Sequence, residues 1–438
     1  MVSGILNEPR RVAVVGTGVS GMVSAHQLHA AGHDIAVFEA DDRIGGHSHT
    51  VPVETDAGTF NVDTGFIVLN DRNYPNLERL FADLGVATQP APMSFGVSDG
   101  RGDFEWAATL PGLFAKGGHV VDRRFHRMLS DLVRFNREAR ELIGTNGAGG
   151  SLRSFCRDRG FSDYFVERLI VPQASAVWSA DPDQLWDFPA SFLAEFLDNH
   201  GSLQLVGRPK WRSVVGGSRS YVEAITEPWR DRVRLSSPVR EIRRDADGVE
   251  VVWDGGRERF DDVVVATHSD QALEMLADPT PAEREILGAI PYQPNETALH
   301  TDVSVMPRRR RAWASWNFHM DKASPGRATV TYDMNRLQQL DAPERFLVTL
   351  NRTDAIDPEK VIRKQTYSHP VFSTESVAAQ ARWREIGGDG VHYCGAYWGW
   401  GFHEDGVRSA LRACEPFGAP APAASPRFEE SAELQMAA

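Results

Sequence analysis

Apolar residues change their spacing several times along the chain, and each change marks an element. Val12-Ala-Val-Val15 is a short continuous apolar run, Met22 to Ala31 has helix-forming composition closed by Gly32, and Ile35-Ala-Val-Phe38 is a second run that ends on Glu39. Gly16-Thr-Gly18-Val-Ser-Gly21 stands between the first run and the helix. Thr50 to Thr55 alternates like a half-buried strand and turns at Asp56-Ala-Gly58 into Phe60 to Ile67. From Tyr74 to about Arg212 the pattern becomes helical. Leu77, Leu80, Phe81 and Leu84 share one face, and Phe125, Leu129, Leu132, Val133 and Phe135 share another. Thr145 to Gly150 reads as a flexible connector. Val233 to Ile242 and Val249 to Trp253 then read as paired strands. Asp262 to Thr267 has the unbroken β-branched run of a parallel strand covered on both faces. Val391 to Gly406, continuing through Leu411, is the last ordered block, and the Ala, Pro, Ser and Glu composition from Phe417 predicts a disordered tail.

The order strand, glycine turn, helix, strand, acid is the one a βαβ nucleotide site needs. Gly16 permits the tight turn, Gly18 lets a pyrophosphate approach bare backbone, and Gly21 lets the helix pack closely on the strand. Glu39 follows Gly21 by eighteen residues (39 − 21), where a carboxylate accepts the ribose hydroxyls. Arg43-Ile-Gly45-Gly46 adds a cation and a close backbone passage beside a large flat ring.

Bulk properties narrow the class. A chain of 438 residues predicts two or three domains, and 42% hydrophobic with 24% charged residues is globular composition. The formal net charge of −13 argues against nucleic acid as a partner. The opening residues show no signal-peptide pattern, and no window reaches the ~20 apolar residues of a membrane span, so a cytoplasmic protein is expected. Cys156, Cys394 and Cys414 are too widely spaced for a zinc or redox motif and are expected to be reduced thiols; no metal is expected.

Taken together, Val12 to Gly46, Asp63-Thr64-Gly65, Val233 to Val239, Asp262 to Thr267 and Gly395 to Ala410 resemble the flavin amine oxidase and phytoene desaturase superfamily. That resemblance implies an α/β fold, α+β overall. A discontinuous Rossmann-like FAD domain of glutathione-reductase type (1–73, 213–275 and 390–416) would join a mixed helical and antiparallel-sheet substrate domain (74–212 and 276–389), with 417–438 as tail. It implies FAD held by Gly16, Gly18, Ser20, Gly21, Glu39, Arg43, Gly45, Gly46, Thr64, Gly65, Val239, Gly395, Gly406 and Val407. The block Gly395 to Gly406 also resembles bacterial predicted NAD/FAD-binding oxidoreductases that accompany cyclopropane-fatty-acid-synthase-like methyltransferases, which implies an acyl-lipid substrate.

Candidate chemistry follows from the same blocks. Tyr397, Trp398 and Trp400 beside the terminal glycines are candidate pocket walls, with Trp178 and Trp316 as further pocket residues. His403 and His300 are candidate acid/base groups. Tyr292 to Val305 contains no lysine where many amine oxidases of the superfamily carry one. No second GxGxxG appears, so substrate is expected to reduce the flavin, with oxygen, a quinone or another carrier as acceptor. The leading expectation is an FAD-dependent dehydrogenase or desaturase acting on an apolar, fatty-acyl substrate. An amine oxidase and a non-catalytic flavin-bearing partner of a lipid methyltransferase stand as alternatives. The arginines at 123, 124, 127 and 134 fit either the solvated side of a core helix or a basic surface meeting anionic lipid at the inner face of a membrane, and Arg308 to Arg311 reads as a solvated turn.

Overall fold

The strand that leads into the glycine turn lies at the centre of a five-stranded parallel sheet. In this computed structural model, which describes residues 8–145, 150–178, 184–204, 207–320 and 327–423, the strand order is Val233–Arg234, Asp34–Phe38, Arg11–Val15, Asp262–Val265, Val391–Tyr393. Three distant stretches of chain therefore build one sheet. Its unbroken apolar runs follow from burial on both faces. Val12, Val14, Ile35, Val37 and Val264 pack toward the helices Val19–Ala30 and His403–Cys414, while Ala13, Val15, Phe38, Val263 and Val265 pack on the opposite side with Ile242, Val249 and Phe260.

The stretch expected as one strand from Val233 to Ile242 is broken in two. Ser236 takes a left-handed φ of 48°, and the chain leaves the parallel sheet there. Val239–Asp245 then begins a separate antiparallel sheet with Gly248–Trp253 and Gly256–Phe260. The crossing is fixed by Ser237 N donating to Glu39 O at 2.8 Å and Ser236 N to Asp41 O at 2.9 Å, which places Val239 beside the second strand's acid end.

A second, seven-stranded mixed sheet stands against the helical region. Its order is Val361–Pro370, Tyr292–His300, Leu347–Leu350, Val330–Asp333, Trp316–His319, Phe95–Ser98, Glu105–Ala107. The helix Arg123–Glu138 starts at Asp122, whose side chain accepts from Arg124 N at 2.9 Å. It buries Phe125, Met128 and Phe135, and Arg127 and Arg134 pair with its own Asp131. The connector expected at 145–150 falls largely outside the described residues.

The tail begins later than its composition suggested. Phe417 is buried, edge-on to His33 and His392 with ring centroids 5.6 and 4.9 Å away. Ala423 N still donates to Asn76 Oδ1 at 2.8 Å, so 417–423 is docked chain. An aromatic side chain overrides the low-complexity composition around it; residues 424–438 lie outside the described residues. No helix among the described residues is long and apolar enough to cross a membrane.

Candidate flavin and substrate site

The glycine loop joins the first strand to the helix Val19–Ala30, whose N-terminus is left without a side-chain cap and without an acid in its first turn. Uncapped amides and the helix dipole suit an anion there. Gly16 takes φ +97°, and Gly18 has no atom within 4 Å of where a Cβ would stand. Glu39 holds the loop: Oε2 accepts from Thr17 N at 2.9 Å and from Thr17 Oγ1, and Oε1 accepts from Asp41 N at 2.9 Å. Arg43 donates through Nη2 to Gly46 O at 2.6 Å, and its Nη1 is buried with no hydrogen-bond partner among the described residues. An orphaned guanidinium nitrogen, an uncapped helix end and an open glycine together form a cradle that fits a dinucleotide diphosphate.

The helix His403–Cys414 packs alongside Val19–Ala30, its Cys414 reaching the Ser24 carbonyl, and its N-terminal turn adjoins this cradle. A Cβ on Gly406 would stand 2.6 Å from Val19 Cγ1 and 2.9 Å from Ser20 Oγ, so the two helix N-termini touch. Val407 is buried behind them, and Gly395 N donates to Ser409 Oγ at 2.9 Å. Successive residues of the first turn face different ways. His403 stacks on Phe66 at 3.6 Å, and its Nε2 lies 3.0 Å from Ser48 Oγ and 3.2 Å from Tyr221 Oη. Glu404 accepts from Asn76 N, Asn76 Nδ2 and Leu77 N at 3.1, 2.6 and 3.0 Å, capping the helix Pro75–Asp83. Asp405 accepts from Trp400 N and Phe402 N at 3.0 Å and from Arg408 at 2.8 Å, fixing the loop that carries the aromatics. Burial pushes the Glu404 carboxyl up to about 7 and holds His403 down at about 3.

Beyond Gly46, histidines and tyrosines gather that sequence reading did not assemble. His47 packs against Tyr367, His369 and His268 at centroid distances of 4.7, 5.4 and 6.2 Å, and His268 stacks on Tyr292 at 4.3 Å. Tyr367 Oη lies 3.0 Å from Thr64 Oγ1 and 3.3 Å from His49 Nδ1, and Asn295 Nδ2 lies 2.9 Å from His369 Nδ1. Desolvation lowers His47, His268 and His369, the last to about 4, so these imidazoles are neutral at physiological pH. Only the pairing of Val361–Pro370 with Tyr292–His300 brings Tyr367 and His369 here. His47 alone carried a local signal, its place directly after Gly45-Gly46. Thr64 and Gly65 flank the same region, Gly65 pressed against the His47 carbonyl. Among the described residues no group of His, Cys, Asp or Glu is arranged to hold a metal ion.

The aromatic candidates divide. Trp400 and Phe402 line a cavity of about 390 Å³ together with Tyr74, His200 and Glu404, between the helices Pro75–Asp83, Ala190–Asn199 and His403–Cys414. Tyr397 and Trp398 pack instead into the core beneath the parallel sheet, because the extended backbone at Gly395 lets the Tyr397 ring fold back over it. Trp178 donates Nε1 to Trp400 O at 3.2 Å and packs among Phe188, Phe192 and Phe196, supporting the wall from behind. Trp316 stands edge-on to Tyr332 in the second sheet, away from that cavity. His300 is corrected as an acid/base candidate. It is fully buried, its Nε2 lies 2.7 Å from Thr349 Oγ1, and its Nδ1 accepts from Asp302 N at 3.1 Å, so both nitrogens serve the sheet.

Residues 19–308 match the family of flavin containing amine oxidoreductases. A relative in Mycobacterium tuberculosis named as a flavin-containing monoamine oxidase, AofH, is 28% identical over 292 residues, which is 61% of this chain and 59% of that protein. The chain thus aligns with less than two thirds of that relative's length. A solved putrescine oxidase with bound putrescine shares the fold at a TM-score of 0.69 and 16% identity, covering 94% of this chain and 99% of the other. A fatty acid isomerase from P. acnes does so at 0.68 and 15%, covering 94% and 99%.

Proposed function

The chain belongs to the flavin containing amine oxidoreductase family, a family of FAD-dependent oxidoreductases, and from that premise we propose that it oxidises an apolar, fatty-acyl substrate held against Trp400 and Phe402. FAD would be held by Gly16, Gly18, Ser20, Gly21, Glu39, Arg43, Gly45, Gly46, Thr64, Gly65, Val239, Gly395, Gly406 and Val407, and when bound it supplies the hydride acceptor. The discontinuous division into cofactor and substrate domains belongs to the same proposal. The observation that carries the substrate reading is the half-open cavity at the N-terminus of His403–Cys414, where the rings of Tyr74, His200, Trp400 and Phe402 meet a polar rim that includes Arg72, Asp198 and Gln204. Two of its acids, Glu404 and Asp405, are engaged by backbone amides and Arg408, and the rings of Tyr74, His200, Trp400 and Phe402 supply the apolar part of the contact surface.

The chain's own residues do three things in this account. The aromatic wall binds and orients the alkyl portion and keeps water out. His403, held by Ser48 and Tyr221, fixes the loop between cofactor cradle and cavity. Neutral His47, backed by His369 and Tyr367, places an uncharged imidazole beside the Gly45-Gly46 passage, a ring that orients a neighbouring group by hydrogen bonding rather than by charge. The resemblance of Gly395 to Gly406 to oxidoreductases that accompany lipid methyltransferases supports an acyl substrate. Such a substrate brings peripheral contact with the inner face of a membrane into the reading, with oxygen, a quinone or another carrier reoxidising the cofactor.

Amine oxidation is the second reading, because the Asp198 carboxyl shares the cavity lining with the same rings, a pairing suited to an ammonium group. Anaerobic mixing of the purified flavoprotein with fatty acids, phospholipids, amines and NADPH separates the readings. Bleaching by an acyl lipid supports the proposal, bleaching by amines alone supports the second reading, and bleaching by NADPH alone contradicts both. Substrate-dependent bleaching of either kind excludes a purely non-catalytic partner.

A further inference from the structure

The segment from Leu110 to Arg127 presents an apolar tip that the described residues leave uncovered. Leu110 is 86% exposed, Val121 81%, Val120 58% and Phe114 40%, four large apolar side chains within twelve residues. They are held in place from below. Thr109 Oγ1 accepts from Gly112 N at 3.1 Å, Lys116 Nζ donates to Asp103 O, and His119 stacks on buried Phe125 at 4.1 Å. Fixed tips of this kind are a surface feature with a cost in water, unlike single exposed aliphatics scattered over a protein.

Charge identifies what covers them. Residues 110–127 carry Lys116, Arg123, Arg124 and Arg127 against Asp122, a local charge of +3 (4 − 1) on a chain whose formal net charge is −13. The short helix Leu110–Leu113 packs against the turn Arg310–Ala312, so the run Arg308 to Arg311 rims the same tip from a distant part of the sequence. Buried Glu105 anchors that run by accepting from Arg308 N at 2.6 Å and Arg309 N at 3.1 Å, and Arg308, Arg310 and Arg311 remain exposed.

We propose that this face docks the protein on an anionic lipid bilayer. Leu110, Phe114, Val120 and Val121 enter the headgroup and acyl boundary, while the two arginine runs meet lipid phosphates. An acidic protein partner would satisfy the arginines but would need a matching hollow for tips that project from separate turns. The inference deepens the acyl-substrate reading, since a bilayer is where such a substrate resides, and it stands on the surface alone.

Flotation of the full-length flavoprotein with vesicles of phosphatidylcholine, with and without phosphatidylglycerol, tests it. Binding is expected to anionic vesicles at low salt, weakening as salt rises. Leu110→Asp with Val121→Asp should lower binding by at least about tenfold, and Arg123→Glu with Arg311→Glu should abolish the preference for anionic lipid. Both pairs change exposed side chains, so flavin absorbance and melting temperature should stay at the parent values and certify the fold. Failure to bind anionic vesicles, binding indifferent to both pairs, or self-association of the parent that the Leu110→Asp, Val121→Asp pair removes without any vesicle binding would overturn the proposal. Vesicle binding without flavin bleaching by any acyl lipid would overturn only the substrate reading.

Discussion

Replacing Gly18 by alanine should separate the cofactor site from the stability of the fold. Gly18 sits at φ −59° and ψ 176°, a backbone conformation that alanine adopts without strain. Its Cβ would meet no protein atom within 4 Å, so the apoprotein should be as stable as the parent, or more stable by about 0.4–1 kcal/mol through the lower entropy of its unfolded chain. The same methyl group occupies the space where a diphosphate must approach bare backbone. An overpacking penalty of about 1–3 kcal/mol corresponds to roughly 5- to 150-fold weaker FAD binding. Gly21→Ala should behave differently. A Cβ there overlaps the Gly16 carbonyl, with its carbon at 2.8 Å, so the helix Val19–Ala30 must retreat from the strand and both stability and affinity should fall. Flavin fluorescence quenching on titration into apoprotein gives the affinity, and a thermal melt of the same apoprotein gives the stability. If Gly18→Ala bound FAD as tightly as the parent, or if both variants lost stability alike, the assignment of Gly18 to the diphosphate would be refuted.

Other residues give separable outcomes. Arg43→Lys loses the fork that reaches Gly46 O and leaves a second nitrogen for a ligand, so flavin affinity should drop by about tenfold, read from the same titration. Burial holds the Glu404 carboxyl at about 7 against its ordinary value of 4.5, so the native state binds the proton more tightly than the unfolded chain does. That contribution is present at low pH and lost as pH rises through the folded value, worth about 3 kcal/mol in all. Melting temperature should therefore fall between about pH 4.5 and about pH 7 in the parent and be flatter over that window in Glu404→Gln. Trp400→Phe keeps an aromatic ring but enlarges the cavity; flavin content should stay at the parent level while the substrate concentration needed for half-maximal bleaching rises, measured by anaerobic titration.

Local sequence made the cofactor cradle legible because its parts are adjacent in the chain. Gly16 to Gly21, Glu39 and Arg43 to Gly46 lie within 31 residues (46 − 16 + 1), and each spacing reflects a short-range steric demand. The continuous run from Asp262 to Thr267 also announced a sheet buried on both faces. The histidine and tyrosine cluster was not legible, since Tyr367 and His369 reach His47 only through the register of two strands more than sixty residues apart. Trp400 could not be told from Tyr397 and Trp398 by alternation, because an extended glycine and two Asp405 hydrogen bonds, rather than strand geometry, set where each ring points. His300 looked like a base from its titration range alone; burial and two local partners give it to the sheet. Phe417 shows the opposite limit, a single anchoring ring in a segment whose composition predicted disorder.

In the proposed reaction the chain removes hydrogen from an acyl substrate and passes it to FAD. This reaction is tested most directly by mass analysis of the acyl compound recovered after anaerobic bleaching, set against the amount of flavin reduced. A product lighter by two hydrogens is expected, in one-to-one proportion with reduced flavin. A recovered compound of unchanged mass, or bleaching accompanied only by loss of an amine, would contradict it.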